Sequence, residues 1–190
     1  TYYAFYFDGG LLSFIKHLSD DEKKLQEEPF YVDKISNEIG VEVALTYTNH
    51  YETKELSFAN NIYTPDGGMH STGFRSALTR AINDYARENT YIKGAEENLT
   101  GDDVREGLIS IVSVKIREPQ FEGQTKARLG NPEARTVVES VVGETLKEFL
   151  ERNSADARRM IEKCLLAAKA RKAAKAAKET VLRKGVLEGL

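Results

Sequence analysis

The chain has a single cysteine, Cys164. That excludes an internal disulfide and a clustered thiolate metal site, and it fits a reducing compartment. No run approaches the roughly 18 apolar residues needed to span a bilayer. The opening Thr1-Tyr2-Tyr3-Ala4-Phe5-Tyr6-Phe7 lacks the basic start and long apolar stretch of a secretory leader and reads instead as a strand, its aromatics a core-facing side. Neither Gly9-Gly10 nor Gly67-Gly68 has the G-x-x-x-x-G-K-[ST] spacing of a phosphate loop, and no acid–base pair is placed by sequence. A chain that begins inside a strand and without Met is expected to be one structured segment of a larger intracellular protein, with no complete catalytic site of its own.

Charge is present, but unevenly. From Arg158 to Lys184 ten Lys or Arg stand against two Glu, inside a chain whose net charge is −3. A mildly acidic body with a basic helical tail implies one surface that attracts polyanions. From Ala155 onward the chain is alanine and basic residues with no proline or glycine until Gly185, a composition of strong helix formers. Within it Arg171, Lys175 and Lys178 share a face, with Lys172 beside them.

Before the tail, periodicity predicts alternating elements. Asp8-Gly9-Gly10 is a turn, and Leu11, Leu12, Ile15 and Leu18 follow at helical spacing. Ser19 to Glu28 reads as an exposed loop closed by Pro29. Gly40 to Tyr47 alternates as a strand, with Val41, Val43, Leu45 and Tyr47 on one face. Thr48-Asn49-His50 is expected to turn it back into an antiparallel partner at 51–58. Phe74, Leu78, Ala81 and Tyr85 mark a helix after the Pro65–Gly68 turn. Thr100-Gly101-Asp102-Asp103 is a capped helix start, and Leu108 to Ile116 is a central strand. Asn131-Pro132 begins a helix with a broad apolar side. The order favours a mostly antiparallel sheet with helices on one face, an α+β fold.

Several residues that could suggest chemistry have plainer uses. His70 has no carboxylate placed beside it. Asp66, Asp102 and Asp103 fit turn and cap positions better than Mg²⁺ ligation. Cys164, between Ile161 and Leu165, fits a buried small side chain. The loop Gly123-Gln124-Thr125-Lys126-Ala127-Arg128-Leu129-Gly130 is different in kind. It sets an amide and an ammonium two residues apart between glycines, where both can point at one anion. A solvated loop is the alternative.

Gln124-Thr125-Lys126 after Pro119-x-Phe121 and before Leu129 resembles the ATP-sensing loop of the B subunits of bacterial type IIA DNA topoisomerases, the gyrase branch ahead of the topoisomerase IV branch. Further stretches carry the same resemblance: Phe7-Asp8-Gly9-Gly10, Ile39 to Leu45, Phe58-x-Asn60-Asn61-Ile62, Asp66-Gly67-Gly68-Met69-His70-x-x-Gly73-Phe74-Arg75, Thr100 to Leu108, and Arg183 to Leu190. It covers essentially the whole chain.

The resemblance implies a transducer body over 1–154 and a long basic helix over 155–190 leading toward a metal-binding Toprim domain. It also implies a fold like the second domain of ribosomal protein S5, with a left-handed β-α-β crossover. Lys126, assisted by Gln124, would reach the γ-phosphate of ATP held mainly by a preceding ATPase domain. Arg75 would face the cavity through which a DNA duplex passes, and Arg171, Lys172, Lys175 and Lys178 would line the route beyond it. Mg²⁺ would belong to the holoenzyme rather than to this segment, which has no metal site. The implied partners are its own ATPase and Toprim domains, the gyrase A protein in an A2B2 heterotetramer, and double-stranded DNA, in the cytoplasm and away from membranes. The segment alone is expected neither to hydrolyse ATP nor to cut DNA. A stand-alone DNA-binding module and an independent small enzyme are the competing classes.

Overall fold

In the computed structural model residues 8–187 are described; the expected first strand at 1–7 lies outside them. Ten elements follow in the order α1 (Gly10–Leu18), β1 (Phe30–Ser36), β2 (Ile39–Tyr47), β3 (Lys54–Ala59), β4 (Ile62–Tyr63), α2 (Met69–Glu88), α3 (Gly101–Arg105), β5 (Leu108–Lys115), α4 (Pro132–Arg152) and α5 (Ser154–Leu187). These strands form one sheet in the order β1-β2-β5-β3-β4. Among the described strands only β3 and β5 run parallel, joined through α2 and α3; the other neighbours are antiparallel.

The expected hairpin between 40–47 and 51–58 does not form. β5 lies between those two strands instead, with Val43 opposite Val112 on one side and Leu56 opposite Ile111 on the other. The reason is burial. Seven of the eight β5 residues are buried, and a strand apolar on both faces belongs in the middle of a sheet. β3, with an exposed start and partly covered alternate positions, accepts a place nearer the edge. The hairpin partner of β2 is β1, which the periodicity did not mark. Asn37 and Glu38 connect the two at φ 47° and 62°, and Asn60-Asn61 connects β3 to β4 at 48° and 65°. Both are two-residue turns with consecutive positive φ, the geometry that matches strand twist.

The main helical layer lies on one sheet face. Val41, Val43, Leu45 and Tyr47 of β2 point into the same core as Phe74 and Leu78 of α2 and Val138, Val142 and Leu146 of α4. The two helices approach closely at Gly73, where a Cβ would stand 2.4 Å from the Arg135 carbonyl oxygen. The short α1 covers part of the other face, burying Ile15 against Ala44, Ile109 and Ile111. The first half of α5 belongs to the main core, with Ala157, Met160, Ile161, Cys164 and Ala168 inside it. From Lys172 to Arg183 every α5 residue is exposed.

Segment 19–28 is not the solvated loop its composition predicts. Leu25 N–H donates to the Tyr47 carbonyl at 2.9 Å, and Tyr47 N–H donates to Gln26 Oε1 at 2.8 Å. Arg159 of α5 donates to the Leu25 carbonyl at 2.6 Å. The segment thus seals the end of β2 against α5, with Asp20, Asp21, Lys23, Glu27 and Glu28 exposed on a pinned backbone and Glu22 turned toward His50 and Lys54. No helix among the described residues is long and apolar enough to cross a membrane.

Candidate functional site

The loop between β5 and α4 is fastened at its base and open at its tip. Phe121 and Leu129 form an antiparallel bridge. Around it Glu122 N–H donates to the Arg128 carbonyl at 2.9 Å and Gly130 N–H to the Gln120 carbonyl at 2.7 Å. Asn131, the expected cap, stands at the N-cap position of α4 but makes no side-chain cap bond. Its amide is used on the loop: Oδ1 accepts from Gln120 N–H at 2.6 Å and Nδ2 donates to the Glu118 carbonyl at 3.1 Å.

Leu129, fully buried, ties this loop to the start of α2. Its N–H donates to the Gly67 carbonyl at 3.1 Å, its carbonyl accepts from Met69 N–H at 2.9 Å, and Asp66 N–H donates to the Ala127 carbonyl at 3.0 Å. Gly68, at φ 136°, makes the contact possible. A Cβ there would fall 2.3 Å from the Leu129 carbonyl oxygen. The glycine serves a backbone-on-backbone junction, not a phosphate loop.

At the tip, Gly123 (φ 81°) and Lys126 (φ 54°) have left-handed backbone on either side of a tight turn. Gln124, Thr125 and Lys126 are exposed. Lys126 has no acidic partner among the described residues; its Nζ stands 5.9 Å from the Phe121 ring centre, near the outer range of a cation–π contact. A left-handed non-glycine residue costs roughly 1 kcal/mol, and the fastened stems hold it there. The tip therefore offers an uncompensated ammonium and an amide to whatever lies beyond it.

The other candidate cations are differently occupied. Arg75 donates from Nε to Glu55 Oε2 at 2.8 Å and from Nη2 to the same oxygen. It lines an open trough of about 630 Å³ that also contains Arg80 and Arg105. Arg171 grips Asp103 with two parallel bonds of 2.8 and 3.0 Å. Asp103, 3% exposed, also closes the expected capping box with Thr100. Burial alone would raise its carboxyl; the bonds from Arg171 and Thr100 outweigh that and hold it below the usual range. Arg171 is therefore a strut between α5 and α3. Lys172 lies 3.5 Å from Glu97. Lys175 and Lys178 are exposed, with no ion pair among the described residues.

His70 and Cys164 both lie in the interior. His70 is fully buried, its Nε2 3.3 Å from Thr64 Oγ1, and burial lowers its pKa to about 4. Burial pushes the Cys164 thiol up to about 12, so it is no nucleophile. Among the described residues no group of three or more His, Cys, Asp or Glu could hold a metal ion. Sequence reasoning missed Glu55 and the pairing role of Asp103, because both depend on contacts between strands and helices distant in the chain. Gly68 carried a signal, a second consecutive glycine before a helix.

Comparison with known proteins gives a consistent result. A family model described as DNA gyrase B matches residues 10–180. The chain is 52% identical over 184 residues to the DNA gyrase B protein of Bacillus mycoides, covering 97% of this chain and 46% of that protein. It is 48% identical to that of Clostridium acetobutylicum, covering 97% and 29%. Among solved structures, the 43K ATPase domain of Thermus thermophilus gyrase B, bound to an aminocoumarin, superposes with a TM-score of 0.83 at 46% identity over 90% of this chain and 46% of that one. The topoisomerase IV ATP-binding domain of Francisella tularensis gives 0.75 at 30%, covering 88% and 44%. The module has the α+β fold found in part of the ATPase regions of type II topoisomerases. The chain belongs to the DNA gyrase B family and resembles the ATPase–transducer region of that protein. It spans less than half the length of these relatives.

Proposed function

We propose that this chain is the nucleotide-sensing transducer of a DNA gyrase B protein, relaying the state of ATP in a neighbouring ATPase domain to the passage of one DNA duplex through another. The observation that carries the reading is Lys126: an exposed ammonium without an acidic partner among the described residues, on a loop whose base is bonded to the first residues of α2. The residues fit a triphosphate. Lys126 supplies charge-assisted hydrogen bonds and Gln124 a directed amide bond to a terminal phosphate that ATP has and ADP lacks. Occupation of the tip pulls on Leu129, and through it on Gly67 and Met69, so a local contact becomes motion of α2.

On the reading that α2 lies beside DNA, Arg75 meets phosphate rather than bases. Its pair with Glu55 joins a half-exposed guanidinium to a carboxylate with one buried oxygen, so phosphate exchanges for the carboxylate as Glu55 takes other donors. Arg171 keeps a positioning role, and Lys175 and Lys178 remain available to polyanions. The gyrase reading is favoured over topoisomerase IV by identity, 46% against 30% in the two structures. The whole protein, with its gyrase A partner, Mg²⁺ and DNA in the cytoplasm, is the setting in which the activity belongs.

The test is ATP turnover by the full-length protein carrying Lys126→Ala, with nucleotide affinity measured in parallel. Loss of turnover with binding largely retained is expected. Unchanged turnover removes the sensing role and leaves Lys126 a solvated loop residue.

A further inference from the structure

The sheet and the start of α2 are separated by a polar space that reaches both candidate surfaces. A cavity of about 140 Å³ lies among β3, β5, the 65–67 turn and the first turns of α2. Glu55, Ser71, Ser110, Gly67 and Arg75 are on its walls. Ser110 is fully buried and Ser71 is 7% exposed, yet neither hydroxyl has a hydrogen-bond partner among the described residues. Nor has Oε1 of Glu55, whose other oxygen takes both Arg75 donors. Glu55 and Ser110 are register partners on β3 and β5, so their free atoms open onto one space. Ser71 Oγ borders the turn that holds the loop, since a Cβ on Gly67 would lie 3.2 Å from it.

We infer that this cavity is a binding site for a small cluster of ordered water, and that the cluster joins the Arg75–Glu55 pair to the turn beneath the Gln124–Lys126 loop. Buried hydroxyl and carboxylate oxygens seek partners, and a space that is both polar and roomy satisfies the two conditions for buried water. At about 30 Å³ each in the liquid, roughly four to five waters fit. A metal cation is disfavoured because the Arg75 guanidinium already neutralises the carboxylate, and an anion because Glu55 faces the space. Water, donor and acceptor at once, suits both hydroxyls and the oxygen.

The consequence follows from the same bonds. When a phosphate takes Arg75, Glu55 loses two N–H donors and must draw replacement donors from the water cluster. Ser71 then changes partner beside Gly67, which carries Leu129 and the loop. This relay rests on the roles proposed above for Arg75 and Lys126.

A crystal structure of the intact protein at high resolution reads the first part directly. Ordered waters bonded to Ser71, Ser110 and Glu55 are expected; an empty cavity or a resident ion overturns the inference. The second part is read from ATP turnover by the full-length protein assembled with its gyrase A partner, with and without DNA. Ser110→Val removes the hydroxyl and narrows the space, and it should leave basal turnover unchanged while reducing the DNA-dependent increment by at least about five-fold. Ser71→Ala, which removes one ligand without adding bulk, should reduce it in the same direction and stands in if Ser110→Val folds poorly. Arg75→Ala and Lys126→Ala are measured alongside. If those two alter DNA response and turnover while both serine variants respond to DNA like wild type, the relay fails and the functional reading survives. If those two change nothing, the functional reading itself fails.

Discussion

The loop at 119–131 and helix α5 both present basic side chains to solvent, but they use charge in opposite ways. In the loop, hydrogen bonding is concentrated at the base and the cation at the tip is left without an acid among the described residues. In α5 most of the first basic residues are consumed: Arg159 bonds the Leu25 carbonyl, Lys163 pairs with Glu106 at 3.2 Å, and Arg171 grips Asp103. Beyond Lys172 the helix offers Lys175 and Lys178, exposed cations with no ion pair among the described residues. A count of positive charge points to all of α5, whereas the distribution of partners sets its paired base apart from Lys126, Lys175 and Lys178, which have no acid among the described residues. A cation with no acid beside it is open to an anion, whereas a paired one is a strut.

The sharpest way to break that contrast is to remove the two kinds of cation in turn. Lys126→Ala should lower ATP turnover of the full-length protein by about 10²–10³, the scale of losing one preorganised charge contact, with the melting temperature unchanged. A melting shift without a turnover loss would reverse the assignment. Gly68→Ala attacks the base of the same loop. The new Cβ has no room against Leu129 and the φ of 136° is strained for alanine, so a loss of about 3 kcal/mol is expected in denaturant unfolding. Wild-type stability would show that the loop does not dock on α2 as described.

His70 tests the buried floor near that junction by pH. Its pKa is about 4 when folded against roughly 6.5 unfolded, so the unfolded chain binds the extra proton between those values. Its contribution is complete above pH 6.5 and is lost as pH falls toward 4, a total of roughly 3 kcal/mol. His70→Gln should flatten that part of the stability–pH curve; an unchanged slope would mean the imidazole is solvated.

Much of this was legible in sequence, and the misses share one cause. Local patterns located α2 from Phe74, Leu78, Ala81 and Tyr85, β5 from its apolar run, the Thr100 cap, and the long last helix. The Gln124-Thr125-Lys126 loop stood out through motif resemblance, since spacing alone left it ambiguous. Strand pairing was not legible, because a one-dimensional pattern does not say that β5, some sixty residues downstream, will insert between β2 and β3. The pinning of Leu25 and Gln26 was equally hidden, as polar composition conceals backbone bonds. The occupied state of Arg75 and Arg171 depends on Glu55 and Asp103, which reach them only through the fold.

Within α5, the comparison sharpens between one cation and its neighbours on the same face. Arg171→Ala leaves the buried Asp103 carboxylate without its fork and should destabilise by about 2 kcal/mol. The loss should shrink at acid pH as Asp103 protonates, because its folded pKa is depressed, so its contribution is complete above the unfolded value and is lost as pH falls through the folded one. Lys175→Ala and Lys178→Ala, in contrast, should leave stability within about 0.5 kcal/mol. If those two lysines meet phosphate, each substitution lowers the magnitude of the salt slope of DNA binding by about 0.9, measured with the full-length protein over a range of salt. An unaltered slope with unaltered stability would leave them as solvated residues of a helix whose structural charge ends at Arg171.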